Sequence, residues 1–436
     1  MNDQQQATGG DPPITGADKA RMIFFIHRGV GAFLFSMIFP ILTVYYVQNV
    51  GMDPLQLVLV GTVLEATAFL FEVPTGVVAD TFSRKLSIII GVFMHGASFL
   101  LTGSIPLFLG ILFAQVVSGL AWTFSSGATE AWIAGEIGEE AIGPVFLKAS
   151  QFGRFGAAIG IVTGVGLASI NITLPIMLGG VLFIALGIFE IIAMPETGFK
   201  RAVKEDRETP LKAMRTTLVD GTRVVRVSPI LVMFIAIGFF FGMTSEGIDR
   251  LGDAHFLKNF SFPSLGSLQP IVWFGIIEMG ILILSIFCTE VLRRRLDMQD
   301  HGRVAKTLLV FSGLRILMVS AFALAGDFYM ALLAFWAAAL LRSLSGPLYE
   351  TWLTVSIPQK VRATVLSMTS QSDAIGQVAG GPVIGWIGTA VSIRAALVTS
   401  ALLLSPALLL YAKARDRVKE GESGSSPVEI APALAE

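Results

Sequence analysis

Apolar residues run through this chain in long blocks, each about the length of a bilayer crossing and each parted from the next by a short polar or charged stretch. A helix needs roughly 20 mostly apolar residues to cross a hydrocarbon core. Windows that meet this requirement fall at 22–46, 54–79, 85–104, 106–134, 145–168, 173–194, 228–251, 268–291, 304–325, 328–353, 363–387 and 392–412. The pattern predicts an all-α membrane protein with twelve transmembrane helices. The first window is too long for the apolar core of a signal peptide and no convincing cleavage site follows it, so it is expected to stay as a helix. Residues 1–18, with Gly9, Gly10, Pro12, Pro13 and several glutamines, read as a disordered tail, and 414–436, charged and rich in Ser, Pro and Ala, as a second one.

Composition agrees with the pattern. Of 436 residues, 53% are hydrophobic and only 14% charged, with a mean hydropathy of +0.72, which excludes an ordinary soluble protein of this length. The net charge of −1 gives no footprint for nucleic acid, so the lipid bilayer is the expected partner surface. Cys288 is the sole cysteine and lies in an apolar run, which leaves no intrachain disulfide and no cysteine metal site. The chain has neither a phosphate-cradling loop nor a His-Glu-x-x-His pattern, so no metal, cofactor, ATP-driven step or enzyme activity is expected.

The placement of Lys and Arg sets the expected orientation. Alternate loops hold Lys19 and Arg21, Arg84 and Lys85, a basic series from Lys200 to Arg226, Arg293 to Lys306, Lys360 and Arg362, and Lys413 to Arg417. The opposite loops offer only Lys258 and Arg394, with Arg250 near a helix end. Both termini are therefore expected in the cytoplasm, with the chain threaded many times through the plasma (inner) membrane. Residues 195–227 read as a central cytoplasmic linker between bundles at 19–194 and 228–413. Leu211, Met214 and Leu218 are helically spaced there among basic residues, which suits either a surface-lying amphipathic helix or a solvated linker.

The two sides of that linker repeat. Glu130 and Trp132 recur 220 positions later as Glu350 and Trp352, and the same shift takes Ser150, Gln151, Gly156 and Gly160 to Ser370, Gln371, Gly376 and Gly380. That is an internal duplication of six-helix units, the construction that lets two bundles rock about a site between them.

Between the second and third windows stands a short polar stretch, Glu72-Val-Pro-Thr-Gly76-Val-Val-Ala-Asp80-Thr-Phe-Ser-Arg84-Lys85, suited to a tight turn. Asp80 falls at a helix carboxyl end, where the macrodipole disfavours a negative charge unless a cation or another helix start meets it. The spacing Gly76, Asp80, Arg84, Lys85 resembles the signature between the second and third helices of the major facilitator superfamily of twelve-helix secondary transporters. Thr81 and Ser83 depart from it, where the family usually has a basic residue and a glycine. The resemblance implies that Asp80 closes the cytoplasmic side by docking on the start of the eleventh helix near Arg362, with Arg84 in support. It covers nearly the whole chain apart from the tails.

Ionisable side chains inside the hydrocarbon cost free energy and are functional candidates by default. Glu65 and Glu278 lie near the midplane of the second and eighth windows and lead as proton carriers, followed by Asp373; a structural pairing with an intramembrane arginine is the other reading of each. Arg28, Arg154 and Arg342 are the expected intramembrane charge partners. Glu130 and Glu350, with Glu72, sit toward the cytoplasmic helix ends and read as a paired gate. His95 reads as a packing histidine or a titrating group. The seventh window ends in Glu246, Asp249, Arg250 and Asp253, an outer cluster expected to face water or the central cavity, and it resembles a pattern of multidrug and tetracycline-efflux-like members. Where many proton-coupled members carry an arginine four residues before a glycine in the fourth helix, this chain has Gln115 before Gly119. Gly156, Gly160, Gly164 and Gly166 supply a glycine-rich fifth helix without its Gly-Pro step, which stands instead at Gly381-Pro382.

Together these features lead to an expectation of a monomeric secondary transporter that works by alternating access and exports a moderately apolar organic compound against protons. The 32 phenylalanines offer lining for an adaptable cavity. Proton-driven uptake of a small polar solute, and a transporter-like receptor that moves nothing, are the alternatives.

Overall fold

A computed structural model of the chain describes residues 16–199, 229–296, 300–356 and 362–423. Of the tails expected at 1–18 and 414–436, residues 1–15 and 424–436, together with the expected amphipathic segment around Leu211, lie outside the described residues. Within them the chain is helical, with one isolated bridge between Leu265 and Leu268.

The helices are α1 Gly16–Tyr45, α2 Pro54–Thr81, α3 Arg84–Ser104, α4 Phe108–Ser125, α5 Ala128–Ile137, α6 Ile142–Ile170 and α7 Leu174–Ala193 in the first half. The second half has α8 Pro229–Asn259, α9 Val272–Arg295, α10 His301–Leu324, α11 Phe328–Ser356, α12 Arg362–Ala390, α13 Ile393–Leu403 and α14 Ser405–Ser423. They make twelve crossings, because α4 with α5 and α13 with α14 each form one. Eleven of the crossings are apolar enough to span a bilayer by length and composition alone; α12, which carries Asp373 among serines and glycines, is the more polar one. The fourth window breaks at Gly127, whose φ of 68° lies in the left-handed region that favours glycine. Two expected bounds move: α1 begins at Gly16, and α14 carries helix on to Ser423.

Local chemistry fixes where the turns fall. Asp53 caps α2 reciprocally, its carboxylate accepting from the Gln56 amide at 2.9 Å while Gln56 Oε1 accepts from the Asp53 amide at 3.1 Å, and Pro54 occupies the first helical position. Ser83 caps α3, accepting from the Leu86 amide at 2.9 Å, so the turn after Asp80 spans only Phe82 and Ser83 between helices.

The duplication is visible as packing. In the first half, Gly156, Gly160 and Gly164 of α6 lie on the backbone of α1 at Gly29, Phe33 and Met37; in the second half, Gly376 and Gly380 of α12 lie on α8 at Phe239 and Met243. A Cβ at any of these glycines would press into a carbonyl group of the facing helix, so the close approach requires glycine. The repeated tryptophans anchor the same layer: Trp132 and Trp352 are each 2% exposed.

The end of the molecule that carries the basic loops is called the basic end, and the other the outer end. Contacts between the halves gather toward the outer end. Thr389 Oγ1 accepts from the Leu55 amide at 2.9 Å, Gly385 and Gly388 lie against Leu55 and Pro54, Gln269 donates to the Ser169 carbonyl at 2.9 Å, and Gly275 fits against Val165. Toward the basic end the halves part around a cavity.

Candidate functional site

The cavity has three adjoining chambers. The first, about 780 Å³, opens from the first half between α1, α3, α4, α6 and α7. Its aromatic wall is built on Phe35, which stacks on Trp122 at 5.1 Å and meets Phe183 edge-on at 5.0 Å. His95 is 3% exposed and lies edge-on to both Phe35 and Trp122, and it also lines the chamber. Polar groups stand on the opposite rim. Arg28 and Glu130 approach to 3.9 Å, and His27 Nδ1 lies 2.7 Å from Glu190 Oε1.

Trp122 and Ser126 also line the second chamber, about 260 Å³, which forms the apex of the cavity. Glu65 and Glu72 of α2 and Asp373 of α12 converge on it from opposite halves. Gln371 donates to Glu72 across the interface, and Gln377 donates to Asp373 at 2.7 Å. Ser370 and Asp373 pass into the third chamber, about 510 Å³, whose walls in the second half include Phe241, Tyr349 and Glu350. The Glu130 and Glu350 pair of the repeat thus faces the cavity from its two sides, while the tryptophans two positions later are buried in the bundles.

Glu278 lies elsewhere. With Asp249, Asp253, Arg315 and Arg342 it lines a separate pocket of about 210 Å³ inside the second half, so Glu65 and Glu278 sit in similar places of the two repeats but in different surroundings. Arg342 pairs here with Asp249. The outer cluster is therefore divided. Asp249 turns inward to Arg342, and Glu246, only 2% exposed, pairs with Arg250 at 3.4 Å on the face toward α2. The expectation that the cluster faces water or the central cavity is corrected for Glu246: residues 246, 249 and 250 share one broad face of α8, but where that face meets Gly61 of α2 the Glu246 carboxylate is buried between the helices.

Arg154 is also corrected. Its side chain is exposed on α6 beside the exposed Phe152 and Phe155, and among the described residues it has no ion pair. Six residues along from Lys148, it shares the outward side of a helix whose glycine face is turned to α1.

At the basic end, Asp80 is 67% exposed with Arg84 at 3.8 Å. Arg84 donates to the Ala131 carbonyl at 2.8 Å, and Lys85 Nζ to the Ile191 carbonyl at 3.0 Å. At Gly76 a Cβ would meet open space, so no close approach requires that glycine here. The segment just before the expected docking partner Arg362 lies outside the described residues. Two carboxylates that were not anticipated organise this region. Glu196 accepts from Ser83 Oγ at 2.7 Å and the Lys85 amide at 2.9 Å, and Glu136 accepts from the Thr197 and Gly198 amides, both at 2.7 Å.

Three more chemical residues escaped the sequence reading. His27, Glu190 and Arg315 all lie within apolar windows, and the same rule that singled out Glu65 would have found them. Arg315 is 3% exposed, its Cζ 5.6 Å from the Phe241 ring centre, and its two terminal nitrogens have no acceptor among the described residues.

Twelve helical crossings among the described residues, set in two groups around a cavity, have the architecture of a membrane transporter. The chain belongs to the major facilitator superfamily, whose family model matches residues 24–370. It is 26% identical over 391 residues to YxaM of Bacillus subtilis (strain 168), described as an uncharacterized MFS-type transporter, covering 88% of this chain and 92% of that one. Among solved structures it resembles the nucleoside transporter NupG, with a TM-score of 0.72, 13% identity, and coverage of 91% of this chain and 98% of that chain. It also resembles an inward-facing, unoccupied bacterial homolog of the human lysosomal transporter Spinster, with a TM-score of 0.69, 14% identity, and coverage of 94% and 98%. These likenesses concern the fold. The protein is a multi-pass membrane transporter of the secondary type.

Proposed function

We propose that the transporter exports moderately apolar organic compounds, cations above all, in exchange for protons. The observation that carries this reading is the joining of an aromatic chamber to an apex where Glu65, Glu72 and Asp373 converge. An apolar ring system fits against Phe35, Trp122 and Phe183, and a positive group fits the acidic apex, where it competes with a proton. The lopsided distribution of Lys and Arg supports a cytoplasmic basic end, and hence a conformation open to the cytoplasm and sealed outside. In this reading the bundles at 19–194 and 228–413 rock as units in the plasma membrane, each monomer a complete transporter.

The test is transport in proteoliposomes under an imposed pH gradient, using ethidium as a cationic probe and a neutral dye as comparison. Gradient-driven ethidium movement that fails in Glu65→Gln supports the reading. Movement of neither probe, with proton-coupled uptake of a polar solute instead, replaces it by symport.

A further inference from the structure

The outer seal contains a charge arrangement that neither half could form alone. Gly61 of α2 has no side chain, and the space a Cβ would fill is taken by the Glu246 carboxylate and Arg250 Nε of α8. Gly381 of α12 closes the same spot, its Cβ position 2.6 Å from Thr62 Oγ1, 3.2 Å from Val58 Cγ1 and 3.6 Å from Glu246 Cγ. Glu65 stands one turn from Gly61 on the same face of α2, about 6 Å along the axis. Glu246 and Arg250 occupy the space beside Gly61, one turn from Glu65, Asp249 lies one turn along α8 from Glu246, and Asp373 lines the apex chamber with Glu65. Glu72 lies two turns further along α2 and accepts from Gln371, and Tyr46 at the end of the first crossing accepts from Gln115 at 3.3 Å.

Most of these charges are already matched. Asp249 is held by Arg342, and Asp373 accepts from Gln377 while facing the chambers. Arg250 pairs with Glu246 at 3.4 Å, and Glu65, one turn along α2 from the glycine whose space they fill, brings a second carboxylate from the opposite half to the same guanidinium's neighbourhood. With both carboxylates ionised, the closed contact holds an uncompensated negative charge where Glu246 is out of water, which is costly. A single shared proton removes it.

We infer that Glu65 and Glu246 form one proton-binding pair across the bundle interface, and that the outer end closes when the pair holds a proton. This rests on the proton-coupled reading above and adds the site and the step at which coupling acts. Separation of α2 from α8 when the outer end opens exposes both carboxylates to the outer water, where the pair takes up its proton. Closure then leaves Glu65 lining the apex chamber, so the proton leaves toward the basic end and a cationic substrate takes its place.

The inference is tested without substrate. Spin labels at Leu107→Cys and Tyr329→Cys, both exposed at the outer end of different halves, report its opening in nanodiscs in a Cys288→Ser background. The expected result is a separation that lengthens from mildly acidic to mildly alkaline pH. That dependence should be lost, with the short distance kept throughout, in both Glu246→Gln and Glu65→Gln, because each glutamine imitates the protonated pair. A parent protein with no pH response, or a response kept in the two variants, overturns the inference. Neither result bears on the vesicle assay, so failure of the exporter reading is seen separately.

Discussion

Asp249 and Arg342 pair across the interface of α8 and α11, while Asp373 faces the cavity and accepts from Gln377, with no arginine paired to it among the described residues. Both partners are partly exposed to an internal pocket, so their pairing is worth less to stability than that of a dry buried pair. Its larger contribution is to fix which charges remain available at the apex. Removing one partner, as in Asp249→Asn, frees Arg342 for Asp373, and we expect transport to fall by tenfold or more while expression is largely kept. The exchange Asp249→Arg with Arg342→Asp should recover a substantial part of the rate. Initial uptake rates normalised to protein in the vesicles measure both effects, and a swap as inactive as the single variants would argue against the pair.

The matched glycines give a prediction about stability. Gly160 and Gly380, 220 positions apart, each lie on a carbonyl of a facing helix, whereas Gly166 on α6 has open space at its Cβ position. Gly160→Val and Gly380→Val should therefore destabilise the protein, by about 1–3 kcal/mol or more as for other overpacked cores. Gly166→Val should be close to neutral. Melting in detergent, followed by fluorescence-detected size-exclusion chromatography, should show lowered midpoints for the first two alone.

A reversible lock follows from the outer contacts. The Cβ position of Gly385 lies 3.0 Å from Leu55 Cα, close enough for a disulfide after modest adjustment. In a Cys288→Ser background, Leu55→Cys with Gly385→Cys should lose transport on oxidation and regain it on reduction. If the oxidised protein transports at the reduced rate, this contact does not have to open during the cycle.

Much of the fold was legible in the sequence, because lipid makes the constraint severe: every crossing must be helical and mostly apolar. The 220-residue repeat marked Glu-x-Trp in both halves, and the structure shows that its tryptophans are buried while its glutamates line the cavity. The site was read less completely. Depth along a helix follows from counting residues, but the direction a side chain faces depends on which helices surround it. Arg154 has the depth of an intramembrane partner and faces outward; Arg315, passed over, has similar depth and is buried. Asp249 and Glu246 are three residues apart, yet Asp249 lines a pocket inside the second half while Glu246 is buried against Gly61 of α2, a separation that no spacing rule for a solvated helix end conveys.

The aromatic chamber allows affinity and turnover to be separated. Phe35 is the hub of its wall, with Trp122, Phe183, Phe39 and His95 all in ring contact with it. Replacing Phe35 therefore disturbs the packing of the bundle as well as the surface offered to substrate. Trp122, 40% exposed, is the better probe: it presents a ring to both the first chamber and the apex. Trp122→Ala removes apolar and π contact that a bound ring system uses in the loaded state, and leaves Glu65 and Asp373 in place. Loss of such contact costs on the order of 1–2 kcal/mol of binding, so we expect KM for an aromatic cation to rise about 5- to 30-fold with the maximal rate changed much less. Trp122→Phe should retain most of the affinity. Glu130→Gln, which alters the rim where Arg28 stands 3.9 Å away, should change KM less than Trp122→Ala does. Saturation curves for the three variants decide the matter, and an unchanged KM in Trp122→Ala would remove the aromatic chamber from the binding site.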